Sequence, residues 1–145
     1  MFFVDREKIE ETLVFLEGQI KLFKEHDKWE TEIEKAALER VVHTIIESVL
    51  DVGNMMIDGF IMRDPGSYED IVEILVDEKV VSSGTGDSLK VLVGQRRQVV
   101  QAYTSVDHAL LQEVFTKEMV AVEDFPGCTR KYLANELGPV SAFKK

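Results

Sequence analysis

The residues best placed to do chemistry fall in residues 91–103, where Arg96 stands on the apolar stripe of Leu89, Leu92, Val93, Val100 and Tyr103. On a helix turning about 100° per residue, Arg96 and Tyr103 lie within about 20° of each other. An arginine on a packing face needs a carboxylate, a phosphate-like anion or an interface, because an unpaired buried charge is costly. Two readings stay open. Its stem packs while its head reaches a carboxylate, or the guanidinium faces a groove and receives an anion.

A second polar set lies within residues 38–58, on an otherwise apolar segment. Arg40, His43, Glu47, Asn54 and Asp58 share an arc of roughly 60°, with Asp51 just outside it. The stripe is either the solvent face or one wall of a groove opposite Arg96, where it would give the arginine a carboxylate partner. Other chemistry finds little support. His26, His43 and His108 have no metal-ligand spacing, so no metal and no cofactor is expected. Residues 83–86, Ser-Gly-Thr-Gly, match no phosphate-binding loop. Cys128 is the single cysteine and lacks basic neighbours in sequence, which reads as a structural thiol in a reducing compartment.

The elements that must position these groups are all helical. In residues 5–26, Ile9, Leu13, Leu16, Ile20 and Phe23 repeat at four and three residues, the seam of a bundle helix. Asp27 with Glu30 reads as a capping box that opens a second helix over residues 29–62. That helix is apolar along two lines, Val41, Ile45, Val49, Val52 and Met56 on one, and Val42, Ile46, Leu50 and Ile57 on the other. Such breadth predicts a central helix, and a homodimer to cover what a small bundle leaves bare. Asp64-Pro65-Gly66 breaks the chain, and Ser67 with Asp70 caps a third helix through Lys79. A turn over residues 82–87 precedes a fourth helix to Tyr103, with Gly84 and Gly86 open to either assignment. A fifth runs from Asp107, meets Pro126-Gly127 as a kink or interruption, and resumes to Leu137 before Gly138-Pro139. The expected fold is all-α, an antiparallel up-and-down bundle of about five helices, with residues 1–145 as one domain.

Composition narrows the setting. The 145 residues carry a formal charge of −10, which opposes a general nucleic-acid coat yet leaves room for a small basic pocket. No apolar run approaches about 18 residues, so no membrane span is expected. The N-terminal MFFVDREKIE turns charged by Asp5, unlike a secretory leader. A cytoplasmic location is expected.

Residues 38–58, the turn at Asp64-Pro65-Gly66 with Tyr68, residues 74–81 and above all Arg96 to Tyr103 together resemble the HepT-like branch of the HEPN ribonuclease-toxin families. The order and lengths of the helices match over nearly the whole chain. The resemblance implies a helical domain that dimerises and a toxin that cleaves RNA without a metal. It also implies a nucleotidyltransferase antitoxin encoded beside the toxin, which transfers AMP to a toxin tyrosine. The family motif is Arg, a polar residue, three residues, His, one residue, Tyr. Arg96 matches the arginine, Arg97 the polar position and Tyr103 the tyrosine, the implied site of AMP addition.

Gln101 stands where the family has its histidine. Metal-free RNA cleavage needs a base for the 2′-hydroxyl, an acid for the leaving oxygen and a cation for the phosphorane. Arg96 supplies the cation, but a glutamine exchanges no proton near neutral pH. On a continuous helix, positions 96 and 101 point about 140° apart, so a site using both requires the helix to distort or end there, or a second subunit to complete it. Three readings follow. The first is a degenerate HepT-like protein that binds a nucleotide or RNA phosphate, or forms complexes. The second is an active ribonuclease toxin with altered acid–base groups, Arg97, Tyr103 or His108 assisting. The third is a structural or regulatory helical dimer. Arg40, His43 and Glu47 are candidate supporting residues of the groove.

Overall fold

The structure, a computed structural model, describes residues 3–138. All five expected helical segments are present, no strand occurs among the described residues, and the helices pack around one hydrophobic core. The first helix, α1 (Arg6–Glu25), is capped by the Asp5 side chain, which accepts from the Lys8 backbone N–H. It buries the expected seam of Ile9, Leu13, Leu16, Ile20 and Phe23.

The central helix, α2 (Glu32–Gly59), starts later than Asp27 and Glu30 suggest and ends before Met62. Trp29 is the reason for the late start. It is buried against Phe23 and His26, which holds the chain out of helical geometry until Thr31. The capping box is therefore Thr31 with Glu34. Glu34 Oε1 accepts from the backbone of Thr31 and Glu30, and Oε2 lies 2.7 Å from His26 Nε2. Both apolar lines of α2 are buried against α1, α3, α5 and α6 of the same chain. The bare surface that predicted a homodimer is thus covered internally.

The next helix, α3 (Tyr68–Asp77), is capped by Ser67 as expected. It approaches its neighbours through two glycines. A Cβ on Gly53 of α2 would stand 2.5 Å from Ile71, and one on Gly86 of α4 (Ser83–Gly94) 2.3 Å from Val76. Gly84 and Gly86 accordingly lie inside α4.

The expected fourth helix does not reach Tyr103. At Gln95 the turn tightens, its N–H donating to Leu92 O at 3.0 Å, and a short helix α5 (Arg96–Val100) follows. A 3₁₀ turn spans Tyr103–Ser105. The last helix, α6 (His108–Leu137), runs through Pro126 and Gly127 without interruption and is closed by Gly138 at φ 79°. Pro139 lies outside the described residues.

Candidate functional site

The site is built on one face of α2, where Glu39, His43 and Glu47 recur every four residues. The break at Gln95 turns the start of α5 against this face. Arg96 Nε donates to Glu47 Oε2 at 3.3 Å and Nη2 donates to Oε1 at 3.1 Å, a two-pronged charge-assisted contact. The Tyr68 ring lies beneath the guanidinium, its centroid 4.3 Å from Cζ. His43 Nε2 sits 3.3 Å from the same Oε1 that Arg96 holds, so imidazole and guanidinium converge on one carboxylate oxygen.

Electrostatics fix the charge states of the pair. Partial burial pushes the Glu47 carboxyl up, but the Arg96 hydrogen bond and charge, then the His43 charge, leave it below its ordinary value. The Glu47 hydrogen bond, against a smaller desolvation cost, holds Arg96 above its own. Desolvation, then the Glu47 charge, raises the Asp51 carboxyl one turn on. The Arg96 side chain retains 20 % exposure and Glu47 33 %, so solvent reaches the ion pair. An arriving phosphate can therefore compete with Glu47 for the guanidinium.

One turn earlier on α2, Glu39 Oε2 lies 2.6 Å from Nε2 of His108, the first residue of α6. The ends of α5 and α6 are tied by Gln98, whose Oε1 accepts from the Asp107 backbone N–H. Glu39 and His108 are far apart in sequence, and only the 3.6-residue alignment of Glu39 with His43 and Glu47 hinted that Glu39 belonged to this face.

The structure brings Arg96, Glu47 and His43 together, and the Arg96 head reaches a carboxylate of the α2 stripe, the first of the two readings of this arginine. Other members of the motif lie apart from this cluster. Arg97 is exposed, with no ion pair among the described residues. Arg40 is exposed one turn before His43, and its side chain has no ion pair among the described residues. Tyr103 is 66 % exposed, and so is not part of a buried stripe with Arg96. The reason is the end of α5 at Val100, after which Ala102 leaves helical geometry at ψ 41° and a 3₁₀ turn begins, so the helical register between positions 96 and 103 is lost. Gln101, exposed, caps the C-terminus of α5, its N–H donating to Arg97 O at 2.9 Å. Gln101 itself keeps right-handed helical geometry, so Arg96 and Gln101 stay on different sides of α5.

Elsewhere, burial first and then the Asp124 charge push the Cys128 thiol up, which keeps it protonated and weakly nucleophilic. No cluster of three or more His, Cys, Asp or Glu suited to a metal occurs among the described residues. No helix among them is long and apolar enough to cross a membrane.

Comparison with known proteins places this geometry in a family. The family model described as Ribonuclease HepT-like matches residues 7–128. The chain is 54 % identical over 144 residues to a protein of Bacillus subtilis (strain 168) named "Putative RNase YutE", covering 99 % of this chain and all of that one. A solved structure of YutE from Bacillus subtilis, titled as a cytosolic protein of unknown function, superposes with a TM-score of 0.95 at 54 % identity, covering 99 % of this chain and 100 % of that chain. A toxin–antitoxin crystal structure with AMP-PNP shares the fold, with a TM-score of 0.73 at 16 % identity over 83 % of this chain and 96 % of that one. With the family model spanning both α2 and the Arg96 motif, the chain belongs to the Ribonuclease HepT-like family.

Proposed function

We propose that this protein binds RNA through a backbone phosphate at Arg96, as a cytoplasmic, single-domain HepT-like component of a toxin–antitoxin type system. The observation that carries the reading is the Arg96–Glu47 fork, partly exposed to solvent and backed by the Tyr68 ring. Glu47 holds the guanidinium in place until a phosphate replaces it, and the tyrosine face keeps the cation oriented during the exchange. Arg97, Gln101 and Arg40, all exposed, are available to add contacts to a longer polyanion. Gln101 donates or accepts a hydrogen bond but moves no proton. The motif by itself therefore binds better than it cuts. A homodimer belongs to this reading on the family resemblance alone.

The test is binding of a short single-stranded RNA by fluorescence anisotropy at low salt with a chelator present. Wild type binds, and Arg96→Ala, shown folded by circular dichroism, binds at least about tenfold more weakly, the loss of about 1.4 kcal/mol. Equal affinity of the two proteins would refute the reading.

A second reading is favoured by the exposure of Tyr103. In it the chain is a ribonuclease toxin, and a nucleotidyltransferase antitoxin silences it by adding AMP to that tyrosine. The hydroxyl stands on an exposed turn just after α5, where an added phosphate would lie near the approach to Arg96.

A further inference from the structure

We propose that His43 and His108 form the acid–base pair of a ribonuclease site, replacing the proton-transfer group that Gln101 lacks; the proposal rests on RNA binding at Arg96. The two imidazoles come from different helices, α2 and α6, yet both are held by carboxylates of one α2 face. His43 Nε2 meets Glu47 at 3.3 Å and His108 Nε2 meets Glu39 at 2.6 Å. Glu39 and His43 are four residues apart, neighbours with about 5–6 Å between their Cβ atoms. Arg96, bound to this row from the α5 side, shares its Glu47 oxygen with His43. A phosphate on Arg96 therefore arrives beside one imidazole, with a second about one helical turn away.

Both side chains keep access to solvent, His43 30 % and His108 20 %. Each has a single carboxylate partner, the arrangement that orients an imidazole for proton transfer. Of the other charged groups, Arg96 on α5 shares the Glu47 carboxylate with His43, Arg40 and Asp51 stand on α2 within about two turns of His43 and about three turns from each other, and Asp107 caps α6 next to His108.

The reaction balances without any further reagent. Neutral His43 takes the proton of a ribose 2′-hydroxyl, and the freed oxygen forms a bond to phosphorus. The bond from phosphorus to the 5′-oxygen breaks, its electron pair going to that oxygen, which takes a proton from His108. The products are a 2′,3′-cyclic phosphate and a 5′-hydroxyl. Arg96 holds the phosphorane oxygens. Release of the His43 proton and uptake of one by His108 restore the starting state.

The experiment measures cleavage of a defined RNA by wild type, His43→Asn and His108→Asn, alongside anisotropy binding of a non-cleavable 2′-deoxy analogue. Wild type is expected to cut with a rate that rises and then falls between about pH 5 and 8. His43→Asn loses the acidic limb and His108→Asn the alkaline limb, each with a fall of at least about 100-fold, while analogue binding stays within about threefold. A folded wild type that binds the analogue through Arg96 and leaves RNA intact overturns the acid–base pair and spares the binding reading. Cleavage that persists in both variants, or a flat wild-type pH profile, also overturns it. Failure to bind the analogue overturns the binding reading itself.

Discussion

At the residue scale, the central pairing is a trade between partners for one guanidinium. Arg96 is bound by a carboxylate it can release and braced by Tyr68, whose ring offers no competing charge. Its planar fork matches a phosphate in two directions, which a lysine would not reproduce. Part of this was legible in sequence. Glu47 and His43 share an α2 face and Arg96 needs a partner, so the carboxylate contact was foreshadowed by helical spacing. The Tyr68 ring and the Glu39–His108 pair did not, because each joins segments whose relative placement is set by packing. Tyr103 does not share the stripe with Arg96, since the register between them is lost where α5 ends and Ala102 leaves helical geometry. Its exposure carries its own prediction. Co-expression with a nucleotidyltransferase from the same locus should add one AMP to Tyr103, seen as a mass increase that Tyr103→Phe abolishes. An unmodified Tyr103 would count against the toxin reading.

At the element scale, the seams of α1 and α2 were readable because buried residues repeat with the helical period. Boundaries were less so. Asp27 and Glu30 have the chemistry of a cap, but burial of Trp29 decides where helical geometry begins. Pro126 sits within α6, where the proline alone suggested a kink or a break. The end of α2 shows a different device. Phe60 N–H donates to Met56 O and Met62 N–H to Ile57 O, which places Ile61 in the left-handed region at φ 56°. A β-branched residue there costs about 1–2 kcal/mol, whereas glycine adopts the conformation freely at a smaller entropic cost. Ile61 is also 73 % exposed, so its side chain contributes little packing. Ile61→Gly is expected to raise unfolding stability by about 0.5–1 kcal/mol in urea titration. A loss of that size would show that Ile61 makes contacts that outweigh its backbone strain.

At the scale of the whole molecule, a chain of net charge −10 keeps its fold by giving many carboxylates specific partners. The Thr31 backbone N–H, then His26 and the Glu30 N–H, lower Glu34 to about 2. Arg63, then the Gly66 N–H, lowers Asp70 to about 2. Glu17 is lowered by its hydrogen bond to Arg130, and Glu47 by Arg96 after its burial cost is offset. Groups lowered on folding stabilise the folded state above their unfolded values and lose that contribution as they protonate. The raised Asp51 acts in the opposite sense but stands alone among the shifted carboxyls. The melting temperature is therefore expected to fall steadily from about pH 5 to about pH 2, and Glu34→Gln should reduce the slope. A midpoint unchanged across that range would contradict this account. RNA affinity should weaken only shallowly with added salt, because few cations neutralise phosphates and salt also screens the repulsion from the acidic surface.

The most direct test of the central claim is the affinity of the purified protein for a single-stranded RNA, set beside Arg96→Ala under identical low-salt, metal-free conditions. The account predicts measurable binding by wild type and a loss of at least about tenfold in the variant. Binding that is absent from wild type, or unchanged when Arg96 is removed, would contradict it.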